Sequence, residues 1–315
     1  MGRYALRRVL LIVPTVAGIS LLAFAVAHLA PGDAAAERFR RIEGRSPSPA
    51  ELEAERRALG FDKPLVQQYL SWVNDARQFD LGTSISTDRP VHDELRQRIP
   101  PTLQLTVLAA LLAVLLAIPM GIVAAVFHNR PADHLLRFAS LAGASVPSFW
   151  LAFLLVDVFA VRNSLLPVAG RGGGANLVLP CVTLALIPAA LLARFTRAAL
   201  LETLTDDYVR TARAKGLAGW LVVGKHALRT ASIPLVTAFG TSLGGLIAGA
   251  VVIETVFAWP GMGTLAVQAI LQRDYAVIQG VVLYAGLAFA VVNLLVDLSY
   301  VLIDPRVRLG LEGER

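Results

Sequence analysis

Few residues of this chain have the type and spacing that make or break bonds. Five histidines, His28, His92, His128, His134 and His226, are scattered without zinc-ligand spacing. No P-loop pattern is present to cradle phosphates, so ATP hydrolysis by that route is excluded. The GTSLGG run at Gly240–Gly245 lacks the G-x-S-x-G order of a nucleophile elbow. Cys181 stands alone and reads as a small core residue. No metal and no cofactor are expected. What remains is two carboxylates in apolar surroundings and one basic island. Asp157 and Asp297 are costly in hydrocarbon and therefore functional candidates. Asp157 facing water would attract a cationic group, while a hydrogen bond between helices accounts for it equally well. Asn293 lies one turn before Asp297, the spacing of a local hydrogen-bonded pair.

The island runs from Thr205 to Ser232, TDDYVRTARAKGLAGWLVVGKHALRTAS, between two long apolar segments. Its pattern predicts two short helices. Thr205 or Asp206 is placed to cap the first through a side-chain oxygen. Asp206 and Asp207 then sit at the positive end of the helix dipole, and Arg210, Arg213 and Lys215 at the negative end. Gly216 occupies the position where a left-handed residue ends a helix. A second amphipathic run follows from Trp220 to Leu228. Such a structured basic hairpin binds rather than catalyses, with charge from Arg210 and Lys215 and apolar anchors in Tyr208, Leu217 and Trp220. Anionic lipid would attract it by about 1 kcal/mol per basic residue. The ordered caps point to a protein partner as well.

Composition sets the frame for these elements. The 315 residues are 56% hydrophobic and 17% charged, with a mean hydropathy of +0.62; soluble domains average about 25% charged. Six stretches reach the roughly 20 apolar residues needed to cross a bilayer: Val9 to Ala30, Thr102 to Phe127, Leu135 to Val161, Leu177 to Leu200, Ile233 to Ile253, and Val277 to Ile303. The third and sixth are long enough to tilt or to extend into water. Open sheets are excluded because hydrocarbon leaves their edges unpaired. The first stretch exceeds the 7–15 residues of a signal-peptide core, so it reads as a span.

The net charge of +6 is unevenly placed. Arg3, Arg7 and Arg8 precede the first span, Arg130 falls between the second and third, and Arg137 lies in the first turn of the third. Arg194 and Arg197 lie in the last turns of the fourth, the island lies between the fourth and fifth, and Arg306 and Arg308 follow the sixth. Short loops on the other side hold little beyond Arg162, Arg171 and Arg273. The positive-inside rule places both termini in the cytoplasm. The segment from Pro31 to Pro100 lies outside, since long loops translocate largely regardless of charge.

That external segment has helical signals of its own. Ser48-Pro49-Ala50-Glu51 is a capping box with Pro at the first helical position. Gly60 is placed to end that helix, and Leu65, Tyr69 and Trp72 mark a second one from Pro64. Asp80 to Thr83 reads as a turn and Val91 to Ile99 as another short helix, broken by Pro100-Pro101 at the start of the second span. The whole segment reads as a compact cap on the outer mouth. After the fifth span, Pro260, Gly261 and Gly263 break the helix, with Trp259 suited to the membrane interface. Gly240 and Gly244, then Gly245 and Gly249, give the small-residue spacing of close helix packing.

Several of these stretches resemble a known family. Arg210-Thr211-Ala212, then Gly216, His226 and Leu228, are similar to the cytoplasmic coupling loop of binding-protein-dependent ABC importer permeases in the version typical of dipeptide, oligopeptide and nickel importers. Arg210 stands where the commonest form has Glu, and Arg229 where a Pro often ends the motif. ALRRVLLIVPTVAGISLLAFAVAHLAPGD, LGFDKPLVQQYLSW, FDLGTS, VPSFWLAFLL, IETVFAWPGMG and DPRVR resemble, in order, the first of the two permeases in peptide importers.

The resemblance implies an all-α fold of six transmembrane helices, the type I importer permease fold, with an extracytoplasmic insertion of roughly 70 residues. Its parts would be residues 1–30, 31–100, a permease core over 101–303 containing the coupling loop 205–232, and a cytoplasmic tail over 304–315. It also implies Asp207, Tyr208, Arg210, Thr211, Ala212, Lys215, Gly216, Leu217 and His226 as the ATPase-coupling surface. Phe149, Trp150, Asp157, Glu254 and Phe257 are the pathway or gate candidates. The implied partners are a second homologous permease, two cytoplasmic ABC ATPases, an extracytoplasmic binding protein or lipoprotein, and the lipid of a bacterial inner membrane; no nucleic acid is involved. The implied cargo is short peptides, with glutathione-like compounds and nickel chelates as alternatives. A secondary transporter working alone would need a charge relay or two matching broken helices, and an intramembrane hydrolase a nucleophile–base pair. The sequence displays neither.

Overall fold

In the computed structural model, which describes residues 2–29 and 33–303, every regular element is helical: only an isolated bridge between Thr83 and Pro90 departs from helix and turn. The helices are α1 (Gly2–Leu29), α2 (Ala34–Glu43), α3 (Pro49–Ala58), α4 (Leu65–Arg77), α5 (Val91–Val126), α6 (Pro131–Ser145), α7 (Ser148–Arg162), α8 (Gly174–Thr203), α9 (Asp207–Ala214), α10 (Gly219–Val256), α11 (Met262–Gln272) and α12 (Tyr275–Ile303). Five are long and apolar enough to cross a membrane, and α6 with α7 makes a sixth if the bent pair is one span. The expectations resting on Arg306, Arg308 and residues 304–315 lie outside the described residues.

Three expected boundaries are corrected. The third span is not straight: α6 and α7 meet at 103°. Pro147 forces the preceding Val146 out of the helical region, to φ −84° and ψ 126°, and itself takes the N-cap position of the next helix. Pro100-Pro101 does not break the chain, because α5 runs unbroken through both. Proline's φ suits a helix, and the two missing amides would have met the carbonyls of Arg96 and Gln97. Both of these residues are exposed, where water can replace the donor. The second arm of the basic island is not a separate short helix either. It continues as α10 into the fifth span, with a π-helical stretch at Val222–Ala227. Nothing between Leu228 and Ile233 caps or breaks it.

The chain forms two compact units. One comprises Val9–Thr102 and Pro260–Ala290. Its core joins Val91 and Leu95 of α5 with Met262, Leu265 and Ala269 of α11 and Val277 of α12. Gly280 lies so close to Val91 and Leu95 that a Cβ there would collide with their methyl groups. Asp274, fully buried, ties the Ser84–Ser86 loop to the start of α12. It accepts from Ser84 Oγ at 2.6 Å, Ser86 Oγ at 2.9 Å and the Ser86 amide at 3.1 Å, and its other oxygen accepts from the Val277 amide at 3.3 Å. The capping box is present: Ser48 N donates to Glu51 Oε2 at 2.8 Å, and Glu51 N to Ser48 Oγ at 3.4 Å. Helix α2 was not anticipated. Asp33 caps it by accepting from the Ala35 amide and is itself held by Arg56.

The other unit comprises Met1–Arg8, Leu103–Trp259 and Val291–Arg315. Its larger core is alanine-rich, packing Ala109 and Ala113 of α5 and Ala185 of α8 with Leu246, Ala250 and Ile253 of α10. Small side chains let the helix backbones approach closely, the packing favoured where lipid supplies no hydrophobic drive. Gly240 faces Val296 with no room for a Cβ, and a Cβ on Gly249 would lie 3.3 Å from Leu184; Gly245 is open on that side.

Candidate coupling site and pathway face

Helix α9 is built to be held. Val209 and Ala212 face inward and pack with Ala125 of α5, Leu200 of α8 and Val222, Ala227 and Ala231 of α10. Its C-terminus closes as a Schellman motif. Gly216, at φ +77°, donates its amide to Arg213 O at 2.9 Å, and Leu217 donates to Ala212 O at 3.4 Å. The N-terminal expectation is corrected. Asp206 takes the N-cap position without a side-chain hydrogen bond, and Thr205 Oγ1 instead donates to Glu202 O at 2.7 Å. That carbonyl lies in the last turn of α8 and also accepts the Thr205 amide at 3.1 Å, so the hydroxyl closes back on the helix that has just ended.

The residues named for the coupling surface differ in exposure. Asp207, Tyr208, Arg210, Thr211, Lys215, Gly216 and Leu217 are exposed, and Trp220 is 74% exposed. Ala212 is buried and serves packing alone, and His226 is half-buried on α10. Tyr208 donates its hydroxyl to Thr230 Oγ1 at 2.8 Å, fastening α9 to α10 across the turn. Arg210 and Asp207 approach to 3.4 Å on the open surface, a pair that solvent largely screens.

A second surface lies along α8 and α10. An open cleft of about 590 Å³ is lined by Ser148, Thr183, Ile187, Pro188, Thr237 and Thr241, among others. Thr183, Thr241 and Ser242 turn their hydroxyls back to carbonyls of their own helices, leaving a smooth, weakly polar wall. Pro188 and Pro234 lie inside the two helices beside it, which continue through both.

The pathway candidates do not converge. Phe149 and Trp150 project from α7, both half-exposed. Asp157 pairs with Arg162 at 2.7 Å within α7, where π-helical bonding brings positions five apart together. This intrahelical pair replaces both the lone carboxylate and the bond between helices. Glu254 and Phe257 are buried, and so is Trp259, which corrects the interfacial placement of that ring. Ala258 at φ +47° reverses the chain, Trp259 N donates to Glu254 O at 2.8 Å, and Gly170 N donates to Phe257 O at 2.9 Å. The Arg171 guanidinium lies 5.9 Å from the Trp259 ring centre.

One cluster went unread in the sequence. Asp133, at the start of α6, has no exposed surface and accepts from Arg197 Nε at 2.7 Å, Arg197 Nη2 at 2.8 Å and the Asn129 amide at 2.9 Å. It fixes the α5–α6 turn to α8, six residues before that helix ends. Its only sequence signal was a lone carboxylate among Arg130, His134 and Arg137.

Five or six apolar helices among the described residues, with a basic elbow between two of them, mark a polytopic membrane protein of the importer-permease class. The chain belongs to the family of binding-protein-dependent transport system inner membrane components, whose family model matches residues 117–309, with the corresponding N-terminal model matching residues 1–106. It is 42% identical over 308 residues to the glutathione transport system permease protein GsiC of Escherichia coli K12, a match spanning 98% of this chain and 99% of that protein. The GsiC protein of Shigella dysenteriae serotype 1 matches equally well. The MetNI methionine ABC transporter, in inward-facing crystals, shares the fold at a TM-score of 0.56 and 20% identity, over 67% of this chain and 96% of that one. The protein is thus a multi-pass permease subunit of an ABC importer.

Proposed function

We propose that this permease admits short peptides of the glutathione class, delivered by an extracytoplasmic binding protein or lipoprotein, through a pathway formed with a second homologous permease. The identity with glutathione permeases over nearly the whole chain supports that cargo. Nickel chelates are the competing cargo. Residues 205–232 face the cytoplasm, as do both termini and the 304–315 tail, and residues 31–100 lie on the opposite side. The bent α6–α7 pair counts as one of six spans.

Two ABC ATPases supply the energy by gripping α9 and the turn after it. The observation behind this reading is the combination at α9: an inward face locked by Val209 and Ala212 and an outward face carrying Tyr208, Leu217 and Trp220. A loop so anchored transmits displacement to α8 and α10, and nucleotide shifts the equilibrium only through its different affinity for the two states. The smooth α8–α10 wall lines the pathway beside Phe149 and Trp150, and Asp157 with Arg162 contributes a paired charge at its edge. Glu254 and Phe257 act as packing that holds the 254–259 turn at the gate.

Replacing Gly216 with Val tests the coupling role. A Cβ built on Gly216 would have no non-neighbouring atom within 4 Å, so the substitution acts chiefly through φ +77°, at about 1–2 kcal/mol. ATP-driven glutathione uptake by the reconstituted transporter is expected to fall sharply at unchanged membrane insertion. Undiminished uptake would remove the coupling role, and preferred uptake of a nickel chelate would replace the cargo.

A further inference from the structure

Helix α4 is held against α1, and the register of that contact sets its depth. Tyr69 Oη lies 2.8 Å from Ser20 Oγ, and the Tyr69 and Trp72 rings lie 5.4 and 6.2 Å from Phe24. Gln68 Oε1 meets His28 Nε2 at 3.0 Å. Between Arg8 and Asp33 the apolar stretch that contains the α1 span runs from Val9 to Ala30, 22 residues, close to the roughly 20 that cross about 30 Å of hydrocarbon. With so little length to spare, Leu29 lies near one hydrocarbon boundary. At 1.5 Å per residue, Phe24 then lies roughly 8 Å inside it. A helix packed at Phe24 and His28 lies at that boundary, not in the water above it.

The surface of α4 agrees with that depth. Gln67, Ser71, Asn74 and Asp75 form one exposed polar arc. Next to the face that touches α1 is an apolar flank of Val66, Leu70 and Val73, with Val66 69% and Leu70 59% exposed. Arg77 follows Val66 and Val73 on that flank at the last turn, long enough to carry its charge back to the headgroups. Phe79, just beyond, is 82% exposed at φ +63°.

We propose that α4 is an interfacial helix, lying in the headgroup–acyl boundary of the leaflet around the C-terminal half of α1, with Val66 and Leu70 in contact with lipid chains. Apolar side chains at 5–10 Å depth are what such helices bury. The inference rests on α1 crossing the bilayer and is independent of cargo and of which side the segment faces. It adds a lipid contact to the compact cap expected of the external segment. A soluble binding protein is the competing occupant of the flank.

The test uses the complete transporter in phosphatidylethanolamine–phosphatidylglycerol vesicles, with Cys181→Ser removing this chain's only thiol and any cysteines of the partner subunits replaced by serine. Nitroxide labels on Val66→Cys, Leu70→Cys, Gln67→Cys and Asn74→Cys are read by oxygen and nickel-chelate accessibility. Oxygen should exceed the chelate several-fold at 66 and 70, and the order should reverse at 67 and 74. Chelate access at 66 and 70 equal to that at 74 would place the flank in water. Low access to both reagents would assign it to a protein partner, and either result overturns the proposal. Should the labelled variants fail to assemble, a photoactivatable phospholipid applied to the unmodified transporter reads the same contact. Adducts are expected within residues 65–73, and their absence there overturns the inference.

Discussion

Asp133 holds Arg197 through both carboxylate oxygens, at 2.7 Å to Nε and 2.8 Å to Nη2, from a position with no solvent exposure. The Arg197 side chain is 18% exposed, and its Nη2 also lies 3.1 Å from His128 Nδ1. Removing one partner of a buried pair strands the other charge, which costs about 3–5 kcal/mol. Asp133→Ala is therefore expected near the lower end of that range, because the half-exposed His128 edge admits water. Asp133→Leu with Arg197→Leu removes both charges and is expected to recover much of the loss. Thermal unfolding of the purified chain reads both variants. A double variant no more stable than Asp133→Ala would show that the pair is not the source of the effect.

The glycines of α10 separate packing from pathway. A Cβ on Gly240 would approach Val296 Cγ1 to 2.6 Å, and overpacking of this kind costs about 1–3 kcal/mol. Gly245 has no atom within 4 Å and lines the α8–α10 cleft. Gly245→Ala should then stabilise the isolated chain by about 0.5–1 kcal/mol, since a helix interior disfavours glycine. If the cleft is the pathway wall, the same variant slows uptake despite its greater stability. Equal destabilisation by both substitutions would contradict the assigned contacts.

These cases show what a sequence does and does not carry. The spans, the Ser48–Glu51 box and the left-handed Gly216 were legible because each is local: a run of apolar residues, a spacing of three, a glycine after a basic turn. The break at Pro147 and the continuity through Pro100-Pro101 were not. Proline removes a donor in both places, and only the surroundings decide whether water or a bend absorbs the loss. Asp133 and Asp274 were missed because their partners are far along the chain, 64 residues for Arg197 and 190 for Ser84. Trp259 was misplaced for the complementary reason. Aromatic type suggested an interface, while the Ala258 turn buries the ring.

The α3 cap gives a pH signature. Glu51 is lowered from 4.5 to about 2, first by the Arg45 hydrogen bond and then by the Ser48 amide and hydroxyl. A depressed folded value means its stabilisation is complete above about 4.5 and is lost as pH falls towards 2. Because the group is open to solvent, salt should weaken the effect. Amide protection over residues 49–58, compared between the unmodified chain and Glu51→Gln, should differ at pH 6 and converge near the low end of that window. A gap of constant size from pH 6 to pH 3 would rule out this titration as its origin.

Trp220 and Val209 occupy the same elbow with opposite exposures, so they distinguish docking from folding. Val209 has no exposed surface, and Val209→Ala should cost about 2 kcal/mol of stability by opening a cavity among Leu200, Ala227 and Ala231. Trp220→Ala removes a ring that is 74% exposed, so the melting temperature of the chain should not move. If an ATPase closes over that ring, its loss is worth about 2 kcal/mol or more at the interface. That corresponds to roughly thirtyfold weaker association. Affinity of the purified partner ATPase for the chain in nanodiscs measures this directly. An unchanged affinity would move the docking surface away from Trp220, while a fall in melting temperature would make the ring part of the chain's own fold.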